Sequence, residues 1–207
     1  MEFAWQHVLN ADPVMRGLAS RITLTEIVPS ADVFKDIVRS IIAQQLSTKA
    51  AATIFSRFMD LAKDEHSLPH FILQCEPQVL RNAGLSGQKC TYIREAASYF
   101  ILHSLADVNW GSREDEMIIE TLTKIKGVGI WTVQMLLIFS LNRNDVFPPD
   151  DLAIQQQMAI FYKLDPAGKS FKKEMYAIAE SWKPYRSVAS RLLWASRGIE
   201  ITLDTEM

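Results

Sequence analysis

Leu122-Thr123-Lys124-Ile125-Lys126-Gly127-Val128-Gly129-Ile130-Trp131-Thr132 decides how the rest of the chain is read. Apolar residues at helical spacing lie on both sides of a short turn that holds two glycines one residue apart. The stretch therefore predicts two helices joined by a tight hairpin. Glycine permits a positive φ and removes side chains that would keep a ligand away from the backbone. The second helix points its free N–H groups, and the positive end of its dipole, over the turn. A phosphate of nucleic acid suits such a place, because the contact holds a backbone without reading its sequence. A purely structural corner between two helices is the competing reading, and the turn by itself does not separate the two.

Working outward, segment after segment repeats the helical period. Upstream, Phe34, Ile37, Val38, Ile41 and Ile42 form one apolar face behind Pro29-Ser30. Ser47 is a candidate N-cap for a second helix with Ala51, Ile54, Phe55, Phe58 and Leu61 along a stripe. Helices are expected from about Pro77 to Gly84, and from Ser86 with Tyr92, Ile93, Ala96, Ala97 and Phe100 inside. Ile118, Leu122 and Ile125 mark the first helix of the hairpin, with Glu114, Asp115 and Glu116 at its N-terminus. Beyond the hairpin a helix is expected from Ile130 to Leu141, then an irregular stretch to Pro148-Pro149. Proline at 149 forces residue 148 to be extended, so the next helix can begin only at Asp150 or Asp151. Two more are expected, from Phe171 to Trp182 and from Pro184 to Arg197, the latter closed by Gly198. With no convincing strand pair, repeat or low-complexity linker, the fold class is all-α, about ten short helices with short connections.

The acidic pair in Val146-Phe147-Pro148-Pro149-Asp150-Asp151-Leu152-Ala153-Ile154 stands at the head of a helix after a glycine hairpin. In this the sequence resembles the helix-hairpin-helix DNA glycosylase superfamily, and within it the alkylbase (3-methyladenine II) branch. Ile41-Ile42-Ala43-Gln44-Gln45-Leu46-Ser47, Gly84-Leu85-Ser86 with Lys89 and Tyr92-Ile93, and Trp182-Lys183-Pro184-Tyr185-Arg186-Ser187 carry the resemblance over nearly the whole chain. It begins at about Asp12-Pro13, so the N-terminal β-rich domain of longer bacterial relatives is not expected. The resemblance implies two helical subdomains with a DNA-binding cleft between them. Residues 33–130 would form the middle one, with most of the hairpin. Residues 1–32 and 131–207 would form the other, with the catalytic aspartate.

The same resemblance implies roles for individual residues. Asp151 would be the catalytic carboxylate and Asp150 a supporting one; an N-cap and a first-turn acid are the plain alternative. Cleaving a glycosidic bond builds positive charge on the sugar, which a carboxylate stabilises, and a carboxylate also orients or deprotonates the attacking water. Trp131 stands where strand-cutting relatives carry a lysine that forms a Schiff base. A tryptophan there implies simple hydrolysis with no lyase step. Trp131 and Trp194 would wall a pocket for a cationic alkylated purine, although both also suit a core. Leu46 would be the wedge that fills the gap left by a flipped nucleotide, against the alternative of a buried staple. Gln45, Ser47, Lys126, Gly127, Gly129 and Thr132 would contact DNA.

Composition sets the outer limits. The 207 residues are 48% hydrophobic and 22% charged, the balance of a globular protein with a sizeable core. No apolar run approaches the ~20 residues of a membrane helix, and the N-terminus lacks a signal-peptide pattern, so no membrane is expected. The expected location is the cytoplasm or nucleoid, or the nucleus in a eukaryote. Cys75 and Cys90 are too few for a four-cysteine metal or iron–sulfur site. His66 and His70 have Pro69 between them and no acidic helix beside them, so no metal is expected. Nor is a cofactor expected, although the hairpin carbonyls are compatible with a structural cation that bridges to a phosphate. Net charge is −2, so DNA binding must be local. The most basic stretch, Lys169, Lys172, Lys173, Lys183, Arg186 and Arg191, reads mainly as a solvated face, with Arg186 a candidate for packing; Lys89 is undecided.

Together these readings point to a monomeric, monofunctional glycosylase that acts on alkylated bases in duplex DNA. Three alternatives remain on the residues alone. They are a non-catalytic structure-specific DNA-binding protein, a helical protein–protein scaffold, and a glycosylase for deaminated or oxidised bases.

Overall fold

A helix leaves its first N–H groups without partners, and short acceptor side chains before an apolar repeat satisfy them. Asp12, Asp32, Ser47, Ser86 and Asp151 each do so in the computed structural model, accepting a backbone N–H from the turn that follows. The structure describes residues 2–30, 32–62 and 67–198, and no strand occurs among them. In chain order the helices are α1 (Glu2–Ala11), α2 (Pro13–Ala19), α3 (Val33–Ala43), α4 (Thr48–Leu61), α5 (Leu68–Gln74) and α6 (Pro77–Asn82). They continue with α7 (Gly87–Leu102), α8 (Asp115–Leu122), α9 (Ile130–Met135), α10 (Leu152–Phe161), α11 (Phe171–Glu180) and α12 (Arg186–Ala195).

The chain divides into two compact units, Pro29–Leu136 and Met1–Val28 with Leu137–Met207. The seams fall after Val28 and Leu136, where the sequence placed them after residues 32 and 130. The approach to α3 and its N-cap Asp32 go with the helix they start, and α9 goes with the hairpin it completes.

In the Pro29–Leu136 unit, α7 is the central helix and packs against α3 and α5. Ile93, Ala96, Ala97 and Phe100 are buried on it, and the Phe100 ring lies 4.8 Å from that of Phe34 on α3. Arg94 holds the C-terminus of α5, donating to the carbonyls of Ile72 (2.8 Å), Cys75 (2.9 Å) and Leu73 (3.1 Å). The sequence reading did not single out α5, whose seven residues are too few to show a period. The stripe expected on α4 is buried only at Ala51 and Phe58, while Leu61 is exposed.

The other unit packs α1, α2 and α10–α12 around Val8, Met15, Leu18, Met158, Met175 and Trp182. Its organising polar group is Asp12, buried at the head of α2. One oxygen accepts Val14 N (2.8 Å) and Met15 N (3.3 Å); the other accepts Tyr162 Oη (2.6 Å) and Trp182 Nε1 (2.7 Å). Burial, the Asp12 charge and this hydrogen bond together raise the Tyr162 phenol well above its ordinary range.

Two expected helices have other bounds. The one from Ile130 stays α-helical only to Met135 and continues as a π-helical turn, Leu136–Ser140, closed by Arg143 N on Leu137 O (2.8 Å). The last helix begins at Arg186 and not at Pro184, because Tyr185 is outside the helical region at φ −125°, ψ 35°. No helix among the described residues is long and apolar enough to cross a membrane. Cys75 and Cys90 are free thiols. His66 lies outside the described residues, among which no group of three metal-ligating side chains gathers.

The Tyr162 shift fixes a sign for alkaline stability. Its proton is lost from the unfolded chain near pH 10.0 but retained in the fold, so stability falls as pH rises above that value. Urea unfolding between about pH 8 and 11 should show Tyr162→Phe less stable near neutrality, with a shallower alkaline decline than the wild type. Equal slopes would contradict the assignment.

Candidate active site

The loop from residue 141 to 151 is fixed by the first turn of α12, and so places the acidic pair. Arg186 forms a two-pronged ion pair with Asp145, Nε to Oδ1 at 2.6 Å and Nη2 to Oδ2 at 3.0 Å. Ser187 accepts Val146 N (3.0 Å) with its hydroxyl and donates its own N–H to Asn144 O (2.9 Å). Phe147 then enters the core, edge-on to Trp182 at 5.8 Å. Arg186 is thus a packed structural residue. After the two prolines the chain turns, with Asp151 N on Pro148 O at 3.1 Å, and Gln155 Nε2 secures Pro149 O at 2.8 Å.

Asp151 itself is the N-cap of α10. Its Oδ1 accepts Ile154 N at 2.9 Å and Trp194 Nε1, from α12, at 2.9 Å. The residue is 8% exposed, so this is a desolvated carboxylate carried on rigid elements. Asp150, expected beside it as a supporting carboxylate, turns to solvent and pairs with Lys172 of α11. Trp194 is half-buried, and its ring lies 5.4 Å from Phe139, carried outward by the π-helical turn. Its polar end therefore reaches the carboxylate, a contact that reading it as a pocket wall did not foresee.

The hairpin lies in the other unit. Gly127 takes φ +89° with the Tyr92 ring against it; a Cβ there would meet Tyr92 Cδ2 at 2.5 Å. Gly129 is different: at φ −96° it is the N-cap of α9, and a Cβ would meet nothing within 4 Å. Lys126 is exposed at the turn, and Trp131, in the first turn of α9, is 43% exposed. Thr132, expected to contact DNA, is buried in α9 at 5% exposure.

Leu46 is 40% exposed between α3 and α4, after Gln45 at φ +58° and before the cap Ser47. The residues that set this loop escaped the sequence reading. Lys89 Nζ donates to Ile42 O (2.7 Å) and Gln44 O (2.8 Å), capping the end of α3, and burial pulls its pKa down. Gln44 Nε2 donates to Gly127 O at 2.9 Å and so ties the loop to the hairpin.

Comparison with known proteins adds to this geometry. Residues 38–184 match the family described as HhH-GPD superfamily base excision DNA repair protein. The chain is 34% identical over 165 residues to DNA-3-methyladenine glycosylase 1 of Schizosaccharomyces pombe, covering 78% of this chain and 71% of that protein. Among solved structures it is similar to a 3-methyladenine DNA glycosylase of the same organism in complex with abasic DNA. There the TM-score is 0.79 at 30% identity, over 92% of this chain and 94% of that one. It is also similar to a DNA-3-methyladenine glycosidase of Bacillus halodurans, TM-score 0.80 at 29% identity, over 95% and 89% of the two chains.

The two hairpin glycines should respond differently to an added methyl group. Gly127→Ala should cost roughly 1–3 kcal/mol of stability, from the left-handed backbone and the displaced Tyr92 ring. Gly129→Ala should cost less than about 1 kcal/mol, a weaker N-cap only. Equal losses in urea denaturation would mean that the turn is not held by Tyr92.

Proposed function

The chain belongs to the HhH-GPD superfamily of base excision DNA repair proteins, and from that premise we infer that it is a DNA-3-methyladenine glycosylase of the type II kind. It hydrolyses the N-glycosidic bond of alkylated bases in duplex DNA and leaves an abasic site. The observation that carries this reading is the buried carboxylate of Asp151, which accepts Ile154 N and Trp194 Nε1 at the head of α10. It occurs in a chain 34% identical to a protein named for that activity.

In this reading the C1′–N bond breaks and its electron pair leaves with the base. An alkylated purine carries a positive charge and departs neutral, so the demand on a general acid is small. Positive charge appears on the sugar instead, and Asp151 stabilises it from a fixed position in a water-poor environment. Water adds to C1′ and gives up its proton toward the same carboxylate. Trp131 has no amine to trap the sugar, which favours an intact strand after hydrolysis.

DNA is held at the hairpin by Lys126, Gly127 and Gly129, whose contacts are to phosphate and read no sequence. Leu46 supplies the apolar plug, with Gln45 and Ser47 beside it. Trp194, hydrogen-bonded to Asp151, offers an aromatic face to the extruded base. A cation bridging the hairpin to a phosphate would draw on carbonyls other than that of Gly127, which Gln44 already engages. The chemistry needs no cofactor. The protein acts as a monomer wherever the chromosome lies, in a nucleoid or nucleus.

Release of free 3-methyladenine and 7-methylguanine from methylated duplex DNA tests the proposal. Wild type should release both, with strand breaks appearing only after alkali. Asp151→Asn should lose release by a factor of at least about 10² while still binding DNA. Asp150→Asn, which removes only a surface ion pair, should stay within a few-fold of wild type. Absence of release by wild type, despite tight binding to abasic DNA, would overturn the catalytic reading.

A further inference from the structure

A helix leaves its last carbonyls without partners, and a glycine in the left-handed region just past the end commonly lets the backbone satisfy them. The end of α3 has no such glycine. Gln44 leaves the helical region at φ −51°, ψ 128°. Gln45 then takes φ +58°, where glycine or asparagine is favoured. Leu46 N returns to Ala43 O at 3.1 Å. The result follows the pattern of a type II turn, carried by two glutamines and ending on Leu46.

Two side chains hold this turn. Lys89 Nζ donates to Ile42 O at 2.7 Å, in the last turn of α3, and to Gln44 O at 2.8 Å, inside the turn itself. Gln44 Nε2 donates to Gly127 O at 2.9 Å, in the hairpin. The place is unfavourable for a cation in two ways. Lys89 lies in the first turn of α7, at the positive end of the helix dipole, and burial pulls its pKa down. The two carbonyls offset this, since an ammonium has several donors and meets both at once. Lys89 thus does from the side what a glycine cap does within the backbone.

We propose that Lys89 is a positioning residue for the Leu46 plug: its ammonium sets the turn on which Leu46 stands, and Gln44 ties that turn to the hairpin. This rests on the glycosylase reading, in which the hairpin holds a phosphate and Leu46 fills the gap left by the extruded nucleotide. Leu46 is 40% exposed, so its aim is set by the backbone beneath it more than by packing. A lysine engaged by two carbonyls acts on extrusion of the base, whereas a lysine on a phosphate acts on salt-dependent affinity. The two roles therefore differ in what their loss changes.

The test is single-turnover excision of 7-methylguanine by wild type, Lys89→Met, Leu46→Ala and the double variant. The lesion is either paired with cytosine or mispaired with adenine, where extrusion costs less. Lys89→Met should lower the rate constant roughly 10-fold on the paired lesion and less than about 3-fold on the mispaired one. The double variant should be no slower than Leu46→Ala, because both losses act through one plug. The slope of log Kd against log salt should stay at the wild-type value, where loss of a phosphate contact would reduce it by about 1. A wild-type rate, equal losses on the two duplexes, losses that multiply in the double variant, or a reduced slope would overturn the proposal and leave the glycosylase reading intact. A wild type silent on both duplexes would overturn both. Should Lys89→Met fail to fold, Gln44→Met cuts only the bond to Gly127 O and should show the same dependence on pairing. A loss independent of pairing, or no loss, would then overturn the proposal.

Discussion

A carboxylate that is 8% exposed persists in a fold only if donors replace the water it has lost. At Asp151 they are the open N-terminus of α10 and the indole of Trp194. Much of its unit answers to this requirement. Pro149 stops any earlier helix start. The Arg186–Asp145 pair and the Ser187–Val146 bond fix the approaching strand of chain, and the π-helical turn delivers Phe139 to the ring of Trp194. Each contact alone is ordinary. Together they leave a charged group with one orientation, and a preset charge needs no reorganisation when positive charge forms opposite it.

The hairpin unit solves a different problem, presenting backbone rather than a side chain. Gly127 turns through the left-handed region because nothing else fits under Tyr92, and its carbonyl is taken by Gln44. Gln44 is in turn held by Lys89, which places the exposed Leu46 loop and the hairpin in one hydrogen-bonded frame. A lysine is costly in such a half-buried place, as its lowered pKa indicates. It can cap two carbonyls at once where an apolar residue would leave both unsatisfied.

The sequence made the fold class legible because helical periodicity is a local property. Ser47 at the head of α4, Ser86 at that of α7 and the acidic pair at that of α10 could be read as helix starts, while the caps Asp12 and Asp32 became visible only in the structure. Family membership was legible through the hairpin, Trp131 and the acidic pair. What escaped was set by partners distant in the chain. Asp150 and Asp151 look alike until Lys172 takes one and Trp194 the other. Thr132 sits where a hairpin residue should meet DNA, yet the packing of α9 turns it inward. Lys89, Gln44 and Arg94 act on carbonyls, which have no signature in a sequence. The shift of the last helix start to Arg186 depends on one dihedral at Tyr185.

The most direct test of the central claim, that Asp151 is the carboxylate that meets the reacting sugar, is a crystal structure with duplex DNA carrying a cationic pyrrolidine abasic-site analogue. The Asp151 carboxylate should lie against the ring position that stands for C1′, its Oδ1 still accepting Ile154 N and Trp194 Nε1. A sugar analogue bound against Asp150, or with no carboxylate beside it, would contradict the assignment.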